Sequence, residues 1–333
     1  MKAAQAVPLQ RVMVTGGAGY IGSHLVDSLC DAGHEVSILD DLSSGRFDNV
    51  AGRVRTNQAC FIRGSILDAD LVDRAVKSVD LVYHLAAAVG VPRIVADPLG
   101  SLRTNVLGVE NILAACARHD RKVVMASSSE VYGKTSTDGM AEDDDRLLGP
   151  TSVPRWSYAA AKALDEHLAF SYAGQGLRVV IVRYFNSYGP RVNDRENASV
   201  VGTFLRRSFL DEPLLIHGDG HQRRCFTYVD DTVRGTVLAG STPRAEGSVY
   251  NIGTTTETSV LELAESIVTA THSASALEFV PYGAVYGDRF EDVLRRVPDI
   301  CRAREILGWE SRVTLAEGLA RTIEWWRSDA RAA

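Results

Sequence analysis

Tyr158 and Lys162 stand four residues apart in "WSYAAAKALDE", a spacing that places a phenol and an ammonium on one face of a helix. An ammonium beside a phenol favours the phenolate, which makes Tyr158 a candidate general base near neutral pH. A Tyr-x-x-x-Lys spacing alone recurs by chance, and it gains meaning from three other stretches. "TGGAGYIG" sets Gly16, Gly19 and Gly22 three apart, between an apolar run and a helical pattern. Glycines there permit a tight turn and let backbone approach a pyrophosphate held at the helix N-terminus. Asp40 closes the next apolar run, eighteen positions past Gly22. A carboxylate at that point can accept from both hydroxyls of an adenosine ribose and repels a 2′-phosphate, so the spacing favours NAD over NADP. Finally, "MASSSEVYGKT" puts Glu130 directly behind Ser127, Ser128 and Ser129, at the end of the apolar run "KVVMA". Serines ending a strand can hydrogen-bond a substrate or cofactor. The carboxylate beside them suggests proton chemistry, or a local cap.

These residues need a scaffold, and the chain supplies alternating short apolar runs and helical patterns. "RVMVTGG", "HEVSILDD", "ACFIRGS", "VDLVYHLAA", "KVVMASS" and "LRVVIVRYFN" read as strands. Helical patterns lie between them at about 20–32, 68–77, 98–118 and 158–174. Strict alternation of this kind predicts an α/β fold, a Rossmann doubly wound parallel sheet. After Gly189 the rhythm breaks, with helices expected near 201–210, 260–271 and 315–327. Residues 1–185 therefore read as the NAD-binding domain with the Tyr-x-x-x-Lys pair. Residues 186–333 read mainly as a smaller lobe over the carboxyl edge of the sheet, with short segments able to return to it. The acidic stretch "MAEDDDRLLGPTSVPRW" reads as a loop or lid, or as solvated surface.

Composition narrows the function classes. A formal charge of −6 argues against a nucleic-acid or membrane-surface footprint. Local basic clusters, "RRC" and "LRR", suit a small anionic ligand instead. No apolar run is long enough to span a bilayer, and "MKAAQAVPLQ" lacks a signal-peptide core. The five cysteines are scattered without metal-ligand spacing; they read as small buried hydrophobes in a reducing cytoplasm. His84, His217 and His221 form no metal constellation in the sequence and read as structural.

Together, "TGGAGYIGSHL", "DDLSSG", "YHLAA", "NVLGVENIL", "SSSEVYG", "YAAAK", "RYFNSYGPR", "RRCFTYVDD", "NIG" and "LGWE" resemble the extended short-chain dehydrogenase/reductases that modify nucleotide sugars. The resemblance runs over nearly the whole chain. It implies that Tyr158 takes a proton from a sugar hydroxyl, that Ser128 hydrogen-bonds the same oxygen, and that Lys162 holds the nicotinamide ribose. It implies NAD contacts along Gly16, Gly19, Tyr20, Ile21 and Gly22, at Asp40, and at Ser65, Ile66, Leu85, Ala86, Ala87 and Asn105. Ser65 departs from the family pattern, standing where relatives carry an adenine-contacting Asp.

The serine run then separates subclasses. The resemblance implies small or neutral residues behind the catalytic serine in 4-epimerases, and an Asp-Glu pair in 4,6-dehydratases. Here the pair is Ser129 and Glu130, which disfavours water elimination and looks like the UDP-glucuronate decarboxylases. "GPTSVPRWSYAAAK", with Pro154, Arg155 and Trp156, and "YGDRFEDVLRRVPDICRA", with Arg296, are similar to the same enzymes. A guanidinium fork suits a carboxylate. Oxidation at C4 of glucuronate yields a β-keto acid whose carboxylate can leave as CO2, the electrons passing into an enolate that Ser128 and Tyr158 can stabilise. The part played by Glu130 stays open among three: held protonated, ordering a water, or favouring departure of the charged group.

For the nucleotide end, the resemblance implies Asn186 on a diphosphate or sugar oxygen, with Arg191 nearby. It implies the uracil along Leu215–His217, Arg224 on the diphosphate, and Arg289 as a further diphosphate candidate. It also implies a homodimer formed through the helix of Tyr158 and the helix before the serine strand. The runner-up activity is a nucleotide-sugar 4-epimerase acting on UDP-glucose or UDP-glucuronate. From another class, a non-catalytic NAD-binding sensor is disfavoured by the presence of Ser128, Tyr158 and Lys162.

Overall fold

The computed structural model describes residues 9–90, 94, 96–135, 137–153, 155–192, 199–286 and 293–328. Seven strands form one parallel sheet. In chain order they are β1 (Arg11–Thr15), β2 (Glu35–Asp40), β3 (Ala59–Arg63), β4 (Leu81–His84), β5 (Lys122–Ser128), β6 (Val179–Tyr184) and β7 (Ser248–Ile252). Their spatial order is β7-β6-β5-β4-β1-β2-β3. The inner strands are buried on both faces, which is why they read as near-continuous apolar runs rather than as alternation. Successive residues still point to opposite sides. Val12 and Val14 pack into the core on one face, with Leu25 and Val229, whereas Met13 packs into the core on the other, with Val76 and Ile112. The winding reverses between β1 and β4, and a doubly wound sheet binds ligands in the crevice at that point.

Helix positions follow the sequence pattern closely. Tyr20–Asp31 follows the glycine turn, Ala69–Lys77 is capped by Asp68, and Pro98–Arg118 is capped by Asp97. The helix of Tyr158 starts earlier than its apolar pattern suggests, spanning Arg155–Gly174. Beyond Gly189, helix Val229–Ser241, packed against Tyr20–Asp31, is absent from the expected set, and β7, whose position the sequence left unassigned, is a short segment that returns to the sheet beside β6.

Two expectations are corrected. The acidic stretch is a loop whose Asp143 and Asp145 are exposed, as expected, but it is no free lid: Met140 and Glu142 are buried. Met140 N–H donates to the Val297 carbonyl and its own carbonyl accepts from Asp299 N–H. The Glu142 carboxylate accepts from Asn251 N–H at 2.8 Å. Of the cysteines, Cys30, Cys116 and Cys225 are buried, but Cys60 and Cys301 are exposed. Cys60 lies on β3, the edge of the sheet, where one side chain in two faces outward.

Beyond the seven-stranded sheet, short segments pair with one another. Leu214–His217 runs parallel to Leu277–Val280. Arg223–Arg224 lies between Thr258–Ser259 and Arg295–Arg296 in a three-stranded patch.

Candidate active site

Gly16 adopts φ +69°, a left-handed conformation that suits glycine, and a Cβ there would sit 2.8 Å from Ala86 backbone. A Cβ on Gly22 would meet the Gly16 carbonyl oxygen at 2.1 Å. The turn therefore has room only for backbone. It opens onto a cleft of about 310 Å³ lined by Gly16, Gly19, Tyr20, Ile21, Gly22, Asp40, Ile66, Leu85, Ala86, Ala87, Ser128, Tyr158 and Lys162. Asp40 accepts from Ala18 N–H at 2.9 Å and Leu42 N–H at 2.8 Å. Burial pushes its carboxyl above the ordinary value, against the pull of those two bonds. A carboxylate has about four acceptor positions, so two remain for ribose hydroxyls. The Cβ-free turn and this carboxylate fit a dinucleotide.

Asp41, Ser43, Ser44, Val89, Thr104 and Tyr184, not among the expected site residues, also line the cleft. "DDLSSG" carried a signal for the first three. Ser65 and Asn105 are not among the lining residues. The Ser65 hydroxyl accepts from Leu67 N–H at 3.2 Å, and Asn105 clasps Ala88 from behind, accepting at 2.8 Å and donating at 3.1 Å.

At the inner end of the cleft the catalytic candidates converge. Ser128 ends β5, hydrogen-bonds Tyr158, and accepts from Glu130 N–H at 3.2 Å, capping the short turn of helix that holds Ser129 and Glu130. Ser129 is buried. Lys162 is 2% exposed; its Nζ donates to the Ala126 carbonyl at 3.3 Å and lies 3.2 Å from Asp165 Oδ2. The expected neutral-pH phenolate does not emerge from these groups alone. Burial raises Tyr158 above its ordinary value, Lys162 pulls it down, and the nearby Glu130 carboxylate pushes it up again.

Glu130 meets a cluster of arginines. Arg296 Nη1 donates to Oε1 at 2.6 Å, and Arg155 Nη2 lies 3.9 Å from Oε2. Burial alone would raise Glu130, but Arg296, Arg155 and Arg224 outweigh it and bring it down to about 2. The fold explains the cluster. Strand alternation sends Arg295 to Glu257 and turns Arg296 inward, while parallel pairing sets Arg224 beside Arg296. Arg155 lies one helical turn before Tyr158, on the same face. Arg296 is only 4% exposed, and its Nε and Nη2 find no hydrogen-bond partner among the described residues.

At the nucleotide end, Leu215 and His217 lie in Leu214–His217, with His217 edge-on to Tyr282. Asn186 sits at φ +25°, its carbonyl accepting from Thr227 N–H at 3.1 Å. Arg191 points to the first helix, 2.8 Å from Asp27, and stands apart from the arginine cluster. Arg289 and Pro154 lie outside the described residues. Among the described residues no cluster suits a metal ion, and no helix is long and apolar enough to cross a membrane.

Residues 12–253 match the model of the NAD dependent epimerase/dehydratase family. A UDP-N-acetyl-alpha-D-glucosaminuronate decarboxylase of Bacillus cytotoxicus is 42% identical over 96% of this chain and 98% of its own length. UDP-glucuronic acid decarboxylase 1 of Danio rerio is 34% identical over 95% of this chain and 72% of its own. Among solved structures, the UDP-glucose 4-epimerase of Thermotoga maritima with UDP-glucose superposes with a TM-score of 0.86 at 32% identity, covering 96% of this chain and 99% of that one. With a dinucleotide cleft leading to Ser128, Tyr158 and Lys162, the chain belongs to the NAD dependent epimerase/dehydratase family and is an NAD-dependent enzyme of nucleotide-sugar modification.

Proposed function

We propose that the protein decarboxylates UDP-glucuronate, giving UDP-xylose, UDP-4-keto-xylose or both. The supporting observation is Arg296, a buried guanidinium whose Nη1 donates to Glu130 and whose Nε and Nη2 have no partner among the described residues. Unpaired buried donors are costly, and a site that keeps them is suited to an anion supplied by the ligand. The substrate's carboxylate is such an anion.

The glycine turn, Asp40 and Lys162 would hold NAD, which when bound would supply the acceptor for the hydride that leaves C4. Tyr158 removes the C4 hydroxyl proton while Ser128 holds the oxygen. The carboxylate at C5 is then β to a ketone. Its bond to C5 breaks, neutral CO2 leaves, and the electron pair moves into the C4 enolate. Ser128 and Tyr158 donate to that oxygen as charge builds on it. Glu130, ionised beside Arg296, aims the free edge of the guanidinium. It also sets a like charge near the substrate's carboxylate, and departure of neutral CO2 relieves the repulsion. A proton from solvent completes C5 and leaves UDP-4-keto-xylose; UDP-xylose requires the hydride to return to C4 and Tyr158 to give the proton back to its oxygen. Arg224, with Asn186 and the Leu215–His217 strand, receives the diphosphate and uracil; Arg289 remains a diphosphate candidate.

A second reading, carried by the 42% identical relative, keeps this chemistry and changes the sugar to its 2-acetamido counterpart. A 4-epimerase remains the alternative reaction. We also place the enzyme in the cytoplasm, as a homodimer. Leu99, Leu102 and Leu107 on one helix and Leu164 and Phe170 on the neighbouring one stay exposed, which supports a second copy packing there.

Mass spectrometry of UDP-glucuronate and UDP-N-acetylglucosaminuronate, each incubated with enzyme and NAD, tests the proposal. We expect UDP-glucuronate to lose the mass of CO2, and the product mass separates UDP-xylose from the keto sugar. Loss from the acetamido sugar alone transfers the assignment to the second reading. Unchanged mass with a new retention time means epimerisation and overturns decarboxylation.

A further inference from the structure

Asp165 has no solvent exposure, yet it carries a carboxylate one helical turn past Lys162. Its Oδ2 lies 3.2 Å from the Lys162 ammonium as an ion pair, and neither carboxylate oxygen meets a well-aligned hydrogen-bond donor among the described residues. A buried carboxylate is costly and survives beside a fixed cation. Helix geometry makes the pairing rigid. Tyr158, Lys162 and Asp165 follow one another at i, i+4 and i+7 on one face of Arg155–Gly174. The ammonium is therefore shared between a phenol on one side and a carboxylate on the other.

We propose that Asp165 is a positioning residue that fixes the Lys162 ammonium and, by countering its charge, sets how tightly Tyr158 holds its proton. Burial pushes the Asp165 carboxyl above its ordinary value, and the Lys162 ammonium pulls it back down. Glu130 acts on Tyr158 from the end of β5 and is itself paired with Arg296. Glu166 lies near Lys162 but is locked in a two-pronged ion pair with Arg183. His84, on β4, is buried against Thr15 and stays neutral: burial, helped by Lys162, brings it down to about 3. Burial pushes Lys162 down as well, but Asp165 and Tyr158 more than offset this and raise it, so it stays charged. Of the carboxylates near the ammonium, Asp165 is thus the one not bound to a guanidinium.

The consequence is a trade. Without Asp165, the full ammonium charge would act on Tyr158, and the phenol would ionise at lower pH. With it, Tyr158 keeps its proton more firmly, which suits a group that must donate to an enolate oxygen after it has served as base. That use rests on the decarboxylase reading; the charge coupling does not.

The test is Asp165→Asn, which preserves shape and removes charge. Tyrosinate absorbance after rapid pH jumps, taken as the difference from the same protein carrying Tyr158→Phe, reports Tyr158 without substrate or turnover. We expect its midpoint to fall by about one pH unit, the lower end for a charge removed nearby. The acid limb of the kcat/KM profile should move the same way. The double variant Asp165→Asn with Lys162→Met removes both charges together, so it guards against misfolding from an unpaired ammonium; its midpoint should return to or above the wild-type value. An unmoved midpoint in folded Asp165→Asn, or an equal fall in the double variant, overturns the proposal. Because the titration uses no sugar, failure of decarboxylation would leave it intact.

Discussion

At the scale of single residues, Glu130 is the group whose state matters most. Its side chain is 29% exposed, yet Arg296 and Arg155 hold it ionised to about pH 2, from an ordinary value of 4.5. A carboxyl whose folded value is depressed adds stability that is fully present above the unfolded value. That stability is lost as pH falls through the folded one. Unfolding in urea at pH values between 4.5 and about 2 should therefore show a steep loss in the wild type. The same series in Glu130→Gln should be flatter. Kinetics should separate this structural effect from the chemical one. If Glu130 acts as a like charge near the substrate's carboxylate, Glu130→Gln lowers KM for UDP-glucuronate and also lowers kcat, the signature of removed ground-state strain. A raised KM with unchanged kcat would assign Glu130 to simple binding instead.

At the scale of elements, β5 and the Arg155–Gly174 helix must hold their side chains to a fraction of an ångström, and a buried polar network does this. Arg183 on β6 donates to both Glu166 oxygens at 2.9 and 2.7 Å, to the Tyr132 hydroxyl at 2.8 Å and to the Glu142 carbonyl at 3.0 Å. Ser127 donates to Glu166 at 2.5 Å, and Tyr132 donates to Asn251 at 2.7 Å. One network thus joins β5, β6, β7 and the helix directly behind Ser128. Removing one partner of a buried pair leaves the other charge unpaired, at about 3–5 kcal/mol. Glu166→Ala should lower the urea midpoint by that equivalent and loosen Ser128, so that kcat falls further than the folded fraction. This network also marks the limit of what local pattern shows. Tyr158 and Lys162 were legible because their partners lie one turn apart, and the glycine turn because each position obeys a local steric rule. Glu166 and Arg183 look like ordinary surface charges in the chain, since their pairing depends on how helix and strand stack. Arg296 was legible only through resemblance: its inward turn follows from alternation against Arg295, but its meeting with Glu130 spans 166 positions. The position of strand β7, and helix Val229–Ser241 altogether, escaped the pattern for a related reason. Their burial comes from docking on an existing sheet and not from a strong local pattern.

At the scale of the whole molecule, the same two helices that serve the site leave an apolar outer surface. Pro98–Arg118 and Arg155–Gly174 lie against each other, and their inner faces are spent on the sheet through Val109, Ile112, Leu113 and Ala169. Outside, Leu99 is 58% exposed, Leu107 52%, Leu164 45% and Phe170 40%. Scattered exposed leucines need no explanation, but apolar residues gathered on two adjoining helices fit the proposed contact with a second copy. A two-fold pairing would bring four helices together, the self-complementary arrangement a dimer requires. We expect sedimentation to give twice the 36.1 kDa chain mass. Leu107→Arg should give the single-chain mass with an unchanged far-ultraviolet spectrum, because an arginine at an exposed site costs the isolated fold little. Since Tyr158 and Lys162 sit on one of the helices proposed to pair, loss of the partner should also lower kcat more than NAD affinity. A wild-type chain that sediments alone would remove the dimer, and with it any role for this surface in holding the catalytic helix.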